Sequence, residues 1–347
     1  MESSIETLKK YNGFAPALFI EEATADCTKN SFLKTDDIYN IESLDGSDYD
    51  AIINIKKLND INELNAFQTA IHSKLKQNGL YVGKVETNEN NEQRIKDEHH
   101  KLVAPFYSFF DFVFRRVFPR MPVLNRIHQF ITKGNDKCIS SCEAIGRLYY
   151  CGFEVINTKA INNNLYFVAR KKIDARSTVK EILYGPLFIM KRVSKNQKII
   201  KVYKLRTMHP YAEYVQEYLH NKNNLAEGGK FKDDFRITSY GKWFRKFWID
   251  ELPMLINILK FEIKLVGVRP LSPHYLSLYT DELKILRTTV KPGLLPPFYA
   301  DMPTTLEEIM QSEMRYIHSY QKSGWFCDMR YFYKIVVNII FKNKRSS

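Results

Sequence analysis

Two adjacent carboxylates, Asp250 and Glu251, stand just ahead of Pro253 in the run Trp248–Leu259, WIDELPMLINIL. Proline has no N–H and is tolerated only in the first turn of a helix, so a helix is predicted to begin near Asp250. The pair then sits at a helix N-terminus, where the dipole favours an ionised carboxylate or a phosphate. The plain alternative is that Asp250 only caps the helix. Cations precede it. In the predicted strand Ile199–Arg206, Ile200, Val202, Lys204 and Arg206 point to one face, because side chains alternate. A Lys and an Arg side by side at a strand end make a phosphate clamp, although a solvated basic face has the same pattern. Phe235–Lys246 adds Arg236, Lys242, Arg245 and Lys246, and Leu265–Pro270 (LVGVRP) adds Arg269 behind the bend at Gly267. Each segment alone is ordinary.

As an ordered set they resemble the bacterial sugar transferase family, the monotopic phosphoglycosyl transferases that start polysaccharide and glycoconjugate assembly. The family pattern runs G-P-x-F-x-x-x-R-x-G, Y-K-F-R-T-M, D-x-R-I-T-x-x-G-x-x-x-R, D-E-L-P-Q-L-x-N and V-G-P-R-P. This chain has Gly185-Pro186-Leu187-Phe188, Tyr203-Lys204-Leu205-Arg206-Thr207-Met208 and Asp234-Phe235-Arg236-Ile237-Thr238. Gly241, Arg245, Asp250-Glu251-Leu252-Pro253, Asn257 and Val266-Gly267-Val268-Arg269-Pro270 follow, and Arg287 with Lys291-Pro292-Gly293 matches a later element. The resemblance covers about residues 183–341 in constant order.

It implies a two-step phosphoryl transfer. An aspartate attacks the β-phosphate of a UDP-sugar and releases UMP, and a polyprenyl phosphate (undecaprenyl phosphate in the family) takes the sugar phosphate from the carboxylate. By position, Asp250 would be the nucleophile and Glu251 its partner in acid/base or Mg²⁺ duty, both as candidate metal ligands. Lys204 and Arg269 would bind phosphate groups, with Arg206, Arg236, Arg245 and Arg287 as further substrate-binding candidates. An aspartyl nucleophile approaching a diphosphate needs charge neutralisation, which a helix N-terminus, cations and a divalent metal supply. The implied partners are the UDP-sugar, polyprenyl phosphate and a membrane surface, with no nucleic acid and a homodimer left open.

Departures are specific. The family's membrane-embedded hairpin before G-P-x-F is replaced by the polar Ala169–Tyr184, and the glycine of R-x-G by Ser194. The usual L-K-G-D-M is Leu259-Lys260-Phe261-Glu262-Ile263, and Leu294–Met302 (LLPPFYADM) replaces T-G-x-x-Q, in a loop expected to shape the acceptor or sugar site.

The elements that must position these residues fall into two predicted domains, 1–172 and 180–347, with the boundary in Ile173–Lys180. In the first, Ala51–Lys56 reads as a strand, Ile61–Lys76 as a helix, Gln77-Asn78-Gly79 as a turn and Leu80–Val85 as a strand. That is a βαβ unit and implies a parallel sheet. Cys142–Cys151 reads as a helix capped by Gly152, followed by strands Phe153–Ile156 and Leu165–Ala169 around an Asn162-Asn163-Asn164 turn. The order loosely resembles the second half of a class I methyltransferase over residues 45–172. No glycine-rich loop occurs in residues 1–60, which argues against S-adenosylmethionine binding and methyl transfer. The fold class is therefore a degenerate Rossmann-like α/β domain followed by an α+β catalytic domain. Cys138 and Cys142, one helical turn apart without a nearby His, read as structural thiols.

The chain has 347 residues, a formal charge of +13 and a 14% aromatic share. Gly (14) and Pro (13) are sparse, so there is no basic low-complexity arm of the kind that coats nucleic acid. Five scattered Cys suggest no disulfide framework, and the start has no signal-peptide pattern. No apolar run reaches the roughly 18 residues that cross a bilayer. Leu102–Phe118 (LVAPFYSFFDFVFRRVF) carries Phe106, Phe109/Phe110, Val113 and Val117 on one stripe, with Arg115 and Arg116 elsewhere. It is either a helix lying in a membrane interface or one covering the sheet. The expected location is cytoplasmic, peripheral on the inner face of the plasma membrane. The competing class is a catalytically inactive membrane-associated scaffold or regulatory pseudoenzyme, which has no need of Lys204, Asp250, Glu251 and Arg269 together.

Overall fold

A computed structural model describes residues 13–98, 137–172, 180–222 and 234–342, with residues 103, 107, 110, 114, 130 and 131. The chain packs as two compact units. One contains the residues up to Tyr184 together with Met208–Arg236, and the other Gly185–Thr207 and Ile237 onward. The expected boundary near 173–180 is thus joined by a return: after the strand carrying Lys204, the chain goes back to the first unit before the second resumes.

The first unit is a five-stranded sheet, β1 (Asn30–Leu33), β2 (Tyr49–Lys57), β3 (Leu75–Val85), β4 (Phe153–Ile161) and β5 (Asn164–Lys171), in the order β1-β2-β3-β5-β4. β1, β2 and β3 pair in parallel, and the β4–β5 hairpin closes the edge antiparallel. Alternation assigns the faces. Ala51, Ile53, Val82 and Val168 pack with Phe19 and Ile20 of helix α1 (Phe14–Ala23). Ile52, Tyr81 and Phe167 pack on the other side with Phe67 and Ile71 of α2 (Leu64–Lys74) and Leu148 of α3 (Ser141–Tyr150). A sheet buried on both faces reads as near-continuous apolar runs, as AIINI does. The expected turn at Gln77-Asn78-Gly79 is instead a bulge inside β3. Asn78 takes φ 63°, and the register jumps from Tyr49 opposite Leu75 to Ala51 opposite Leu80. Cys142 is buried and burial raises its thiol pKa, while Cys138 is half-buried.

The returning segment, including α4 (Gln216–Lys222), is held by Tyr211. Its hydroxyl accepts from Asn65 Nδ2 at 2.7 Å, and the Arg147 guanidinium lies 4.5 Å from its ring centroid. Arg147 also pairs with Glu143 and Glu181.

The second unit combines an antiparallel hairpin, β6 (Leu187–Val193) with β7 (Ile199–Leu205), and a short parallel pair, β8 (Lys264–Val266) with β9 (Gly293–Leu295). Around them lie α5 (Ser239–Lys246), α6 (Met254–Leu259), α7 (Asp281–Arg287), α8 (Leu306–Ser323) and α9 (Trp325–Lys342). Ile200 and Val202 of β7 pack on Met254 and Ile263. Val266, Leu283, Tyr316 and Ile335 form the larger core. Among the described residues, no helix is long and apolar enough to cross a membrane. Of the predicted helix Leu102–Phe118, only Val103, Tyr107, Phe110 and Phe114 are described; Val103, Tyr107 and Phe110 are exposed, and the rest lies outside the described residues.

Candidate active site

Asp250 and Glu251 occupy a 3₁₀ turn, Ile249–Glu251, and α6 begins only at Met254 with Pro253 as its N-cap. This corrects the expected helix start near Asp250. Glu251 N donates to Trp248 O and Leu252 N to Ile249 O, and Leu255 N to Leu252 O and Ile256 N to Pro253 O continue the i→i+3 winding into the first turn of the helix, past Pro253, which has no N–H. Trp248 sets up the turn from the left-handed region, at φ 57°. At three residues per turn, successive side chains diverge by about 120°. Asp250 points inward and is buried, while Glu251 reaches the Lys204 ammonium at 2.5 Å.

Lys204 is placed by the hairpin register, opposite Phe188, at the end of the face whose earlier members Ile200 and Val202 are in the core. Asn257 locks α6 to that strand. Its amide donates to Lys201 O at 2.7 Å and to Glu262 Oε2, and its oxygen accepts from Tyr203 N. Arg245 arrives from the last turn of α5. The Thr238 hydroxyl caps that helix by accepting from Gly241 N at 2.9 Å. Arg245 Nε donates to Thr207 Oγ1 at 3.0 Å. A Cβ on Gly241 would overlap Thr207 O, so the glycine lets α5 sit against the end of the strand segment.

The electrostatics centre on Asp250. Burial raises its carboxyl above the usual range. Lys204 and Arg245 oppose that shift, and Glu251 adds to it. A buried carboxylate with two cations in reach is a group whose ionised form is costly to keep and reactive once formed.

Arg269 follows the crossing of β8 and β9. Gly267 N donates to Leu295 O and Gly293 N to Val268 O, and a Cβ on Gly293 would overlap the Gly267 nitrogen. The Arg269 guanidinium lies 6.0 Å from the Phe298 ring, in the loop that departs from the family pattern. Sequence reasoning missed Arg192. It is half-buried on β6, donates to Met190 Sδ and Lys191 O, and lies close enough to Arg269 for that charge to lower its pKa further, after burial. Among the described residues neither arginine has a carboxylate partner. Arg192 stands where the family pattern has R-x-G, and that was the available signal.

Three expected ligands are placed otherwise. Arg287 is buried, forms an ion pair with Glu313 and donates to Arg269 O, so it braces the Arg269 loop from within. Arg236 belongs to the first unit and forms a two-pronged pair with Asp234, at 2.7 and 2.8 Å. Arg206 donates to Gly185 O and lies 5.3 Å from the Phe188 ring, tying the open end of the hairpin. The structure therefore brings together Lys204, Arg245, Asp250 and Glu251, and on the Arg269 side Arg192.

Among the described residues no group of three or more His, Cys, Asp or Glu could hold a metal ion. Asp250 and Glu251 diverge around the turn and Glu251 is taken up by Lys204, so a single carboxylate of the turn could join a magnesium ion that completes its shell with substrate phosphates and water.

A buried carboxylate under the influence of two cations is a pattern that phosphoryl transfer uses. The sequence comparison agrees: residues 177–342 match the family model described as bacterial sugar transferase, which bears out the resemblance read from the motifs. The galactosyl transferase CpsE of Streptococcus agalactiae is 36% identical over 142 residues, 39% of this chain and 31% of that protein. The undecaprenyl-phosphate galactose phosphotransferase of Salmonella typhimurium is 35% identical over 116 residues, 32% of this chain and 24% of that protein. The match thus spans less than a third of either relative's length. A solved SAM-dependent methyltransferase of Thermotoga maritima aligns at 13% identity over 38% of this chain and 61% of its own, with a TM-score of 0.24, which carries no argument.

Proposed function

We propose that this protein transfers a sugar phosphate from a UDP-sugar to polyprenyl phosphate through an aspartyl intermediate, initiating synthesis of a polysaccharide or glycoconjugate at a membrane surface. The observation that carries this reading is the buried Asp250 carboxylate, next to the Lys204–Glu251 pair, whose ionised form the charges of Lys204 and Arg245 favour. An Asp250 oxygen attacks the β-phosphorus of the donor. The bond from that phosphorus to the bridging oxygen breaks, and UMP leaves. A phosphate oxygen of the acceptor then attacks the same phosphorus, and the Asp250 carboxylate is released.

The residues divide the work by position. Lys204 holds Glu251 and offsets negative charge beside the nucleophile, while Arg245 lowers the cost of ionising it. Arg269 and Arg192 bind donor phosphate oxygens, and their mutual repulsion is relieved when an anion lies between them. A magnesium ion, if bound, would be held by a carboxylate of the Asp250-Glu251 turn and would add neutralisation of the diphosphate.

The test is UMP release from a panel of UDP-sugars with polyprenyl phosphate and Mg²⁺. Intact-protein mass spectrometry should find the phosphosugar adduct on Asp250. Absence of release from the native protein, or undiminished release by Asp250→Asn, overturns the proposal.

A further inference from the structure

We propose that Thr207 is a positioning residue for the transfer: α5 is aligned on it at both ends, and its hydroxyl holds the Arg245 guanidinium in place for the Asp250 carboxylate. Thr207 is buried at 7% exposure and is the last residue of the second unit before the chain leaves for the first. Thr238 follows the return directly, at Ile237. The Thr207 carbonyl accepts twice from that residue, from Thr238 N at 3.0 Å and from its hydroxyl at 3.1 Å. Because the same hydroxyl accepts from Gly241 N, the N-cap of α5 is built on the Thr207 peptide. At the other end of α5, the Thr207 hydroxyl accepts from Arg245 Nε at 3.0 Å. Thr238 and Arg245 are two helical turns apart, about 10 Å along the axis. A long helical side chain runs back towards the N-terminus, which is how Arg245 reaches the residue that also carries the cap. One attachment would leave α5 free to swing; two fix its direction and its rotation.

A buried, hydrogen-bonded threonine is ordinarily a clasp and nothing more. Two observations set this hydroxyl apart. The cap needs only the carbonyl of Thr207, so a valine there would keep it. The hydroxyl's partner, by contrast, is a side chain whose charge bears on the nucleophile. The charged groups that act on the Asp250 carboxylate are Lys204 from β7, Arg245 from α5 and the neighbouring Glu251, and the two cations offset part of its burial. Lys204 stands three residues before Thr207 in the same stretch of chain, opposite Phe188, and Arg206 N donates to Pro186 O at 2.7 Å between them. Both cations are thus referred to one short piece of backbone, Lys204 by the chain itself and Arg245 through the Thr207 hydroxyl. A charge assists a reaction where it is preorganised, and a guanidinium released from its Nε partner spreads over its rotamers. The inference rests on the proposed function, since it concerns the step at Asp250.

The experiment follows single-turnover formation of the Asp250 adduct and release of UMP in the full chain, with the UDP-sugar that the native protein uses fastest. Thr207→Val should lower the rate at saturating donor about tenfold, within the roughly 10²-fold that a 1 Å misplacement costs, and leave the donor KM unchanged. Thr207→Ser, which keeps the hydroxyl, should return the rate to within about twofold of native. In Thr207→Val/Arg245→Gln the rate should equal that of Arg245→Gln alone, because the hydroxyl then has nothing to position. If the valine variant does not fold, Thr207→Ala takes its place in the same cycle. Losses that multiply in the double variant overturn the inference, because they give Thr207 a role independent of Arg245. So does a serine variant as slow as the valine one, or a valine variant at the native rate. These results leave the proposed function standing, whereas a native protein that forms no adduct sinks the function and the positioning role with it.

Discussion

The two units differ most in their arginines. In the first, several are neutralised within the fold. Arg147 pairs with Glu143 and Glu181, Lys57 and Arg94 share Glu86, and Arg236 pairs with Asp234. Its sheet is covered on both faces. In the second, Arg192 and Arg269 lack carboxylate partners among the described residues, a carboxylate is buried against its own preference, and large apolar side chains line the outside. The second sets two such arginines and a buried carboxylate in one unit. Stability and function should therefore separate along the same line.

The sharpest break comes from the nucleophile. Asp250→Asn should lower UMP release at least about 10³-fold, the scale of losing one member of a catalytic set. Arg147→Ala in the first unit should do the reverse. Leaving the buried Glu143 without its cation should cost on the order of 3 kcal/mol in chemical denaturation, with little added by Glu181, whose side chain is 42% exposed. The KM for the donor in the folded protein should stay unchanged. Arg192→Ala and Arg269→Ala should each reduce kcat/KM on the order of 10²-fold, as loss of one preorganised charge contact does, with little change in melting temperature. An Arg192→Ala variant of unchanged kcat/KM would return that residue to a structural role.

The smallest effects concern protons. The Asp250 carboxyl titrates above the usual carboxylate range in the folded state, chiefly through burial, and only its ionised form attacks phosphorus. Activity should accordingly fall as pH drops through that raised pKa. Arg245→Gln should move the acid limb upward, because it removes an opposing charge. For stability the sign is opposite. Protonated Asp250 is tolerated by the fold and ionised Asp250 is penalised, so the native residue costs stability above its folded pKa and not below the unfolded one. Asp250→Asn should raise the melting temperature at neutral pH, and the gain should vanish in acid.

Much of this was legible in the amino-acid order. Short apolar runs located β2, the second half of β3 and β7, and ordered motifs located Lys204, Asp250, Glu251 and Arg269. What was not legible depended on distant partners. Arg287 matches a family position, yet its buried partner Glu313 comes from another helix and turns it into a brace. Arg236 continues a motif in sequence while its segment packs with the first unit. The helix start was misplaced because Pro253 is equally at home as an N-cap after a 3₁₀ turn, and only the i→i+3 bonds separate the cases. Arg192 was passed over because a basic residue on a hairpin is ordinary until its lack of a partner is seen.

The crossing of Gly267 and Gly293 has a consequence for how such proteins diversify. The segment Leu294–Met302 starts directly beyond that crossing, and α8 begins with a reciprocal cap between Thr305 and Glu308. Between those ends the segment is tied inward, because Asn338 donates to Tyr299 O and Ala300 O and the Tyr299 ring lies 5.1 Å from that of Trp248. Exchanging it between homologues should therefore also move the turn that Trp248 starts, which the rate of Asp250 adduct formation would read.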